Sequence, residues 1–252
     1  DTIVVGMPYA LDDTEGRSAR LARQVGDALS LATNDDTQNP QQTTLTFAGG
    51  DDLDKLLGPN TANTWQMEGP DSGRLNSNVS FSSVEEITGG TASDTLLGVD
   101  ENNEWEVTGK NTGTLNDQFG FSEIENLSGG DQIDLFIWDE EGELTGNVDA
   151  KQGRDVLDYT SYTATVTVTY DSDDSLTTTT TATKIGGSVK GMHEFVGGEN
   201  PEDTLVGQRY DSTNKVWLDT LWTVKGDDEG RIDFLSTQDS ILFSGFENLT
   251  GG

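Results

Sequence analysis

Residues 89–98 read Gly-Gly-Thr-Ala-Ser-Asp-Thr-Leu-Leu-Gly, and a close copy, Gly-Gly-Asp-Asp-Leu-Asp-Lys-Leu-Leu-Gly, stands at residues 49–58. Further Gly-Gly pairs begin at Gly129, Gly197 and Gly251, and the first three pairs are spaced 40 residues apart. Glycine tolerates positive φ, so these pairs are typical of turns, and the short apolar runs that follow them are long enough for β-strands. The stretch therefore predicts a β protein built on a repeated turn and strand.

Two more blocks follow in a fixed order. The first block reads Trp-x-x-x-Gly, and its copies start at Trp65, Trp105 and Trp222. The closing block starts with Phe and runs up to the next Gly-Gly pair, and its copies start at Phe81, Phe121 and Phe243. Alternating apolar residues within these blocks indicate strands with one buried face. Three blocks in a constant order define a repeat of about 40 residues.

The repeat predicts an all-β chain in two parts, an N-terminal segment at 1–46 and a repeat domain at 47–252. The units of the repeat domain are 49–88, 89–128, a divergent unit at 129–196, and 197–252. Each unit is too thin to bury its own apolar face, so we expect a β-solenoid, similar to a parallel β-helix, in which neighbours stack. A β-sandwich of similar hairpins is the alternative architecture. Because the pattern starts and stops within a unit, we expect neighbouring repeats or a second copy to continue it head to tail.

The N-terminal segment has a different pattern. Between Ser18 and Ala32, apolar residues such as Leu21, Val25 and Leu29 stand at helical spacing. This spacing predicts a short amphipathic helix that caps or flanks the repeat domain.

Composition excludes several classes of function. The 252 residues carry 46 acidic and 14 basic side chains, for a net charge of −32, which argues against binding to nucleic acid or to anionic membranes. No apolar run is long enough to span a bilayer, so we expect no membrane insertion. The chain has no cysteine and hence no disulfide or thiolate metal site.

Residues 125–130 read Glu-Asn-Leu-Ser-Gly-Gly and residues 247–252 read Glu-Asn-Leu-Thr-Gly-Gly, and related Gly-Gly motifs lead into Asp-Thr-Leu. At these blocks the chain resembles the degenerate Gly-Gly-Asp repeats of large extracellular surface proteins and adhesins, which are distantly similar to hemolysin-type, or repeats-in-toxin, calcium-binding repeats. The resemblance covers about residues 45–252. It implies a β-solenoid on the cell surface that serves as an adhesin stalk or filament body. The chain departs from the toxin nonapeptide, Gly-Gly-x-Gly-x-Asp-x-apolar-x, at the fourth position, where Asp52, Ala92 and Gln132 replace the glycine.

Five aspartates next to glycine turns are the candidate metal ligands: Asp54, Asp94, Asp134, Asp155 and Asp203. A carboxylate beside exposed turn carbonyls suits Ca²⁺, which takes six to eight oxygen ligands. The alternative is an aspartate that accepts hydrogen bonds from the backbone of its own turn. Both readings remain open from the sequence, and calcium is the expected cofactor.

The leading functional hypothesis is a structural extracellular module, stabilised by calcium, that associates with copies of itself. A calcium-dependent carbohydrate-binding module is the second hypothesis, which requires exposed Trp65, Trp105 and Trp222 in a row; packing in the core is the favoured interpretation of these residues. A polysaccharide-modifying β-helix enzyme is the third. His193 is the only histidine, so no Ser-His-Asp arrangement can be argued, and we expect no enzyme.

Overall fold

The computed structural model describes residues 2–4, 29–32, 44–77, 79–171, 180–208, 210–211, 216–217, 220–226, 228–234 and 240–251. These residues form 27 strands and no helix, which confirms the prediction of an all-β chain. None of them forms a helix long and apolar enough to cross a membrane.

The strands fall into three groups along the chain. The N-terminal segment and the first two units contain β1 (Thr2–Val4), β2 (Leu29–Ala32), β3 (Thr44–Ala48), β4 (Lys55–Leu57), β5 (Thr64–Gly69), β6 (Ser72–Leu75), β7 (Val79–Ser82), β8 (Glu86–Thr88), β9 (Thr95–Leu97), β10 (Asn103–Gly109), β11 (Thr112–Leu115), β12 (Phe119–Ser122) and β13 (Asn126–Ser128). The divergent unit contains β14 (Asp134–Trp138), β15 (Val148–Asp149), β16 (Asp155–Asp158), β17 (Thr167–Asp171), β18 (Thr181–Ala182), β19 (Val189–Lys190) and β20 (Met192–Val196). The last unit contains β21 (Thr204–Gln208), β22 (Tyr210–Asp211), β23 (Val216–Trp217), β24 (Thr220–Gly226), β25 (Glu229–Phe234), β26 (Ser240–Ser244) and β27 (Asn248–Gly251).

Most strands belong to two large mixed sheets. Sheet 1 has 12 strands in the order β1-β4-β8-β12-β11-β10-β14-β16-β20-β26-β25-β24, and sheet 2 has nine in the order β19-β15-β13-β9-β5-β6-β7-β3-β2. A four-stranded sheet, β18-β17-β21-β27, and a two-stranded pair, β22 and β23, complete the described set.

The first two 40-residue units divide their strands between the two sheets in opposite ways. In unit 49–88, β4 and β8 lie in sheet 1 while the three-stranded meander β5–β7 lies in sheet 2. In unit 89–128, β9 and β13 lie in sheet 2 while the meander β10–β12 lies in sheet 1. Equivalent sequences thus alternate between the two sheets, so each unit places strands in both.

Successive units are joined by parallel pairing. In the first two meanders, the first strand pairs with the strand that follows the Gly-Gly turn of the next unit: β5 pairs with β9, with Trp65 opposite Leu96, and β10 pairs with β14, with Trp105 opposite Phe136. The ladder hydrogen bonds of units 49–88 and 89–128 are therefore completed by the unit that follows each of them.

The apolar core lies along these junctions. Trp65 and Trp105 are fully buried, which confirms the prediction that they pack in the core. The ring of Trp105 stacks on that of Phe136 with centroids 5.7 Å apart, and Phe81 of sheet 2 stacks on Phe119 of sheet 1 at 6.4 Å. Aromatic contacts thus link neighbouring units and opposite sheets.

Steric contacts explain why the middle strand of each meander carries a glycine. A Cβ on Gly113 would lie 2.0 Å from the backbone oxygen of Glu106 and 2.8 Å from Cζ of Phe121. The Phe ring covers the glycine from the adjacent strand and meets the Trp ring edge-on, as Trp105 and Phe121 do at 6.3 Å. The recurring Trp, Gly and Phe of the repeat are therefore one packing unit.

The predicted N-terminal helix is wrong where the structure describes it. Leu29–Ala32 forms strand β2, which pairs antiparallel with β3 and places Leu29 opposite Phe47. Leu29-Ser-Leu-Ala also alternates with period two, and pairing with β3 decides between the two periods. The rest of the predicted helix, 18–28, lies outside the described residues.

Candidate functional site

The five predicted metal ligands lie inside the protein. We refer to Asp54, Asp94, Asp134, Asp155 and Asp203 as the turn aspartates. Their residue exposure is 2% for Asp54 and 0% for the other four. Buried carboxylates require hydrogen bonds or cations to compensate for lost hydration, so the partners of their oxygens decide what these residues do.

Asp134 has the most complete set of partners. Its Oδ2 accepts the backbone N–H of Gly130, at 2.7 Å, so the carboxylate closes its own Gly-Gly turn. Its Oδ1 accepts the backbone N–H of Asn103, at 3.0 Å, and the side-chain Nδ2 of Asn103, at 2.6 Å. Since Asn103 belongs to the preceding unit, one carboxylate fixes a turn and joins two units.

Asp94 and Asp203 repeat the link between units. Oδ1 of Asp94 accepts both the backbone N–H and Nδ2 of Asn63, each at 2.7 Å. Oδ1 of Asp203 accepts the backbone N–H of Val166 at 2.7 Å, and its Oδ2 accepts Gly198 N–H at 2.7 Å. The two oxygens of Asp203 thus serve the same two purposes as those of Asp134, whereas Asp94 makes only the link through Oδ1, because its buried Oδ2 accepts no hydrogen bond.

Asp54 closes its own turn by accepting the N–H of Gly50 at 2.6 Å. Its backbone N–H donates to Oε2 of Glu85 at 2.8 Å, and the N–H of Asp94 donates to Oε2 of Glu125 at 2.8 Å. The glutamates of the closing blocks therefore take part in the same network. Carboxylates that accept backbone N–H groups of a turn are the alternative to metal ligation that the sequence analysis described.

Asp155, like Asp94, leaves one carboxylate oxygen without a hydrogen-bond partner. Its Oδ1 accepts the backbone N–H of Asp134 at 2.8 Å, whereas its buried Oδ2 accepts no hydrogen bond. Nδ1 of His193 lies 3.9 Å from this Oδ2, beyond hydrogen-bonding distance. Burial raises the pKa of Asp155 to about 6, against the opposing hydrogen bond from Asp134.

Burial also raises the pKa of two other turn aspartates. For Asp94 the hydrogen bonds from Asn63 oppose the effect, and the nearby carboxylate of Glu125 adds to it. For Asp134 the hydrogen bonds from Asn103 and Gly130 oppose it. Desolvation therefore outweighs hydrogen bonding at both positions.

The surroundings of the turn aspartates test the fit to calcium. The hydrogen bonds described above bring N–H donors to their oxygens, and N–H groups do not ligate a cation. Among the residues that the structure describes, no group of three or more His, Cys, Asp or Glu side chains could hold a metal ion. Calcium binding stays a prediction.

Asn63 and Asn103 were not among the candidates derived from the sequence. They stand 40 residues apart, each two positions before the Trp of its block. Their shared place in the repeat was a usable signal. The two unit-linking hydrogen bonds that each makes to Asp94 or Asp134 give it a structural reason.

A second feature stands out at the last meander, where β24 repeats the pattern of β5 and β10. Val107 of β10 is 0% exposed, whereas its equivalent in β24, Val224, is 57% exposed. Trp222 is only partly buried, unlike Trp65 and Trp105. We call β24, with Trp222 and Val224 on its inner face, the uncovered edge.

Comparison with known proteins adds no identification. No family model matches the chain, no curated protein matches it, and no solved structure matches its fold.

Proposed function

We propose that this chain is a structural extracellular repeat module of the β-solenoid class, the subunit of a surface filament or an adhesin stalk. The observation that carries the proposal is the parallel pairing of the first two meanders with the strand that follows the Gly-Gly turn of the next unit, at β5–β9 and again at β10–β14. A chain assembled by such nearest-neighbour contacts can extend along one axis without enlarging its core.

The pairing pattern favours the solenoid over the sandwich. Sandwiches consist mainly of antiparallel strands joined by hairpins and Greek-key connections. Here β14, β16, β20 and β26 are consecutive parallel neighbours in sheet 1, although they are well separated along the chain. Parallel neighbours of this kind need a crossover through another layer, which is the route of a solenoid coil.

The turn aspartates support a structural role. Asp94, Asp134 and Asp203 each bond a backbone N–H about one unit away in sequence. At Asp134 and Asp203 both carboxylate oxygens accept backbone N–H groups, which is the arrangement of a structural residue. The same hydrogen bonds hold successive units in register, as a load-carrying stalk requires.

The carbohydrate-binding alternative has lost its main support. Stacking on a sugar ring requires an exposed aromatic face, and Trp65 and Trp105 are 0% exposed. No described feature favours it over the structural role.

Immunogold electron microscopy of intact source cells tests the proposed function. Antibodies against the folded protein should label fibres or a layer outside the cell envelope, without permeabilisation. Label that appears only inside permeabilised cells would contradict the proposal.

A further inference from the structure

The last meander lacks the partner that the earlier meanders have. β5 pairs with β6 on one side and with β9 on the other, and β10 pairs likewise with β11 and β14. β24 pairs with β25, and none of the other described strands pairs with its opposite side. The backbone groups along that side are available to a further strand.

The side chains at this edge are exposed or partly exposed, whereas their equivalents in the earlier meanders are covered by a parallel strand of the next unit. Val107 stands opposite Trp138 of β14 and is 0% exposed, but Val224 is 57% exposed. Trp105 is covered by the stacked ring of Phe136, whereas Trp222 remains partly exposed. The uncovered edge thus presents core residues in the arrangement that an apolar parallel strand covers in the preceding units.

The opposite end of sheet 1 offers a matching strand. β1 is the terminal strand there and pairs in parallel with β4. Along sheet 1 the antiparallel pairs occur two at a time, in the two meanders, so β1 and β24 point in the same direction. A second copy translated along the sheet therefore brings its β1 alongside β24 in parallel orientation.

The sequence of this strand fits the register. Residues 1–6 read Asp-Thr-Ile-Val-Val-Gly, which is similar to Asp-Thr-Leu-Leu-Gly at 94–98, the segment that covers β5. In that junction Leu96 stands opposite Trp65. The equivalent register on β24 sets Ile3 opposite Trp222 and Val4 opposite Thr223.

We propose that β1 of a second copy pairs in parallel with the uncovered edge, so that sheet 1 continues from one molecule into the next. This inference rests on the proposed function and names the partner and the surface through which the filament grows. The contact is heterologous, because it joins different surfaces of two identical chains. A head-to-tail contact of this kind builds an open fibre instead of a closed dimer.

Sedimentation velocity over a wide concentration range tests the contact. The solution should contain about 1 M NaCl, where screening extends over only ~3 Å, because the net charge of −32 opposes association at low salt. We expect concentration-dependent oligomers that Val224→Lys weakens at least tenfold. Ile133→Lys is the matched control, since Ile133 is 49% exposed away from this edge, and it should associate as the original protein does. A strictly monomeric profile, or equal association by both variants, would overturn the proposal.

Cysteine pairing tests the register independently, because the natural chain contains no cysteine. When Val4→Cys and Thr223→Cys proteins are mixed under mild oxidation, the mixed disulfide should dominate over either homodimer. Thr223→Cys mixed with Glu104→Cys is the control, since Glu104 is an exposed residue of β10, an internal strand of sheet 1. Equal yields from the two mixtures would refute the parallel docking. If antibodies label the cell surface but neither the association nor the mixed disulfide is found, the proposed structural function is retained and only the docking of β1 on the uncovered edge is refuted.

Discussion

Replacing Asp134 with asparagine tests the role assigned to the turn aspartates. Both oxygens of Asp134 accept backbone N–H groups, from Gly130 and from Asn103. An asparagine amide has one oxygen, so its NH₂ group must face one of these N–H donors and leave it unsatisfied. A buried donor without an acceptor costs about 1–3 kcal/mol.

Asp155→Asn is the matched control. Asp155 is equally buried and its pKa is also raised by burial, but only its Oδ1 accepts a hydrogen bond. Its amide can keep that bond and places NH₂ where the unpartnered Oδ2 was. Both variants remove a buried carboxylate, so the difference between them reports the hydrogen bond that Asp134→Asn loses at Gly130 or Asn103.

Guanidinium unfolding of both variants at pH 7, with chelator present and tryptophan fluorescence as the signal, measures that difference. We expect Asp134→Asn to be less stable than Asp155→Asn by about 1–3 kcal/mol. For a chain of this size that is a difference in melting temperature of roughly 2–12 °C. If Asp134→Asn proves as stable as Asp155→Asn, the hydrogen-bond role of the turn aspartates is refuted.

Three further predictions are tested by measuring the stability of the folded protein. Gly113→Ala should destabilise the protein by about 1–3 kcal/mol through its clash with Glu106, whereas Gly109→Ala, whose Cβ would meet only the Thr112 Cβ at 3.9 Å, should cost much less; equal losses would contradict the packing of the meander. Because the pKa of Asp155 is raised to about 6, its contribution to stability is present below its ordinary pKa of about 4 and is lost as pH rises through 6. Asp155→Asn should therefore gain stability relative to the original protein between pH 4 and 6, and a constant difference over that range would count against the burial effect. Millimolar Ca²⁺ should raise the melting temperature of the protein above the value measured with chelator and enough NaCl to match the ionic strength. Identical melting temperatures would refute the prediction that calcium stabilises the fold.

The sequence was sufficient for the strands of the repeat and for their burial. Trp105 and Val107 alternate with polar residues, and both are buried on one face of β10 as period two requires. The candidate ligands were also placed at turns, as the Gly-Gly pairs indicated. These features depend on local chemistry, which a single sequence carries.

The sequence alone did not predict which strands pair when they are far apart in the chain. The exchange of units between sheets depends on which strand meets β5 or β10, and identical local patterns allow either sheet. The choice between metal ligation and turn hydrogen bonds at Asp134 depended on Asn103, which is 31 residues away in the chain. At Leu29 the helical and the strand periods coincide, and pairing with β3 selects the strand.

Deletion of one complete unit tests most directly whether the chain is a stack of equivalent units. Removing residues 89–128 joins Thr88 to Gly129, restores the Gly-Gly turn, and brings Phe136 opposite Trp65 in place of Trp105. The two units 49–88 and 89–128 together place five strands in each large sheet, so at about 4.8 Å per strand one unit accounts for about 12 Å of length.

Small-angle X-ray scattering and thermal melting of this variant, beside one that lacks the out-of-phase segment 99–128, measure the outcome. A stacked solenoid predicts a cooperatively folded protein about 12 Å shorter for the first deletion and an unfolded or aggregated one for the second. Loss of folding in both variants would contradict the stack and favour a closed sandwich.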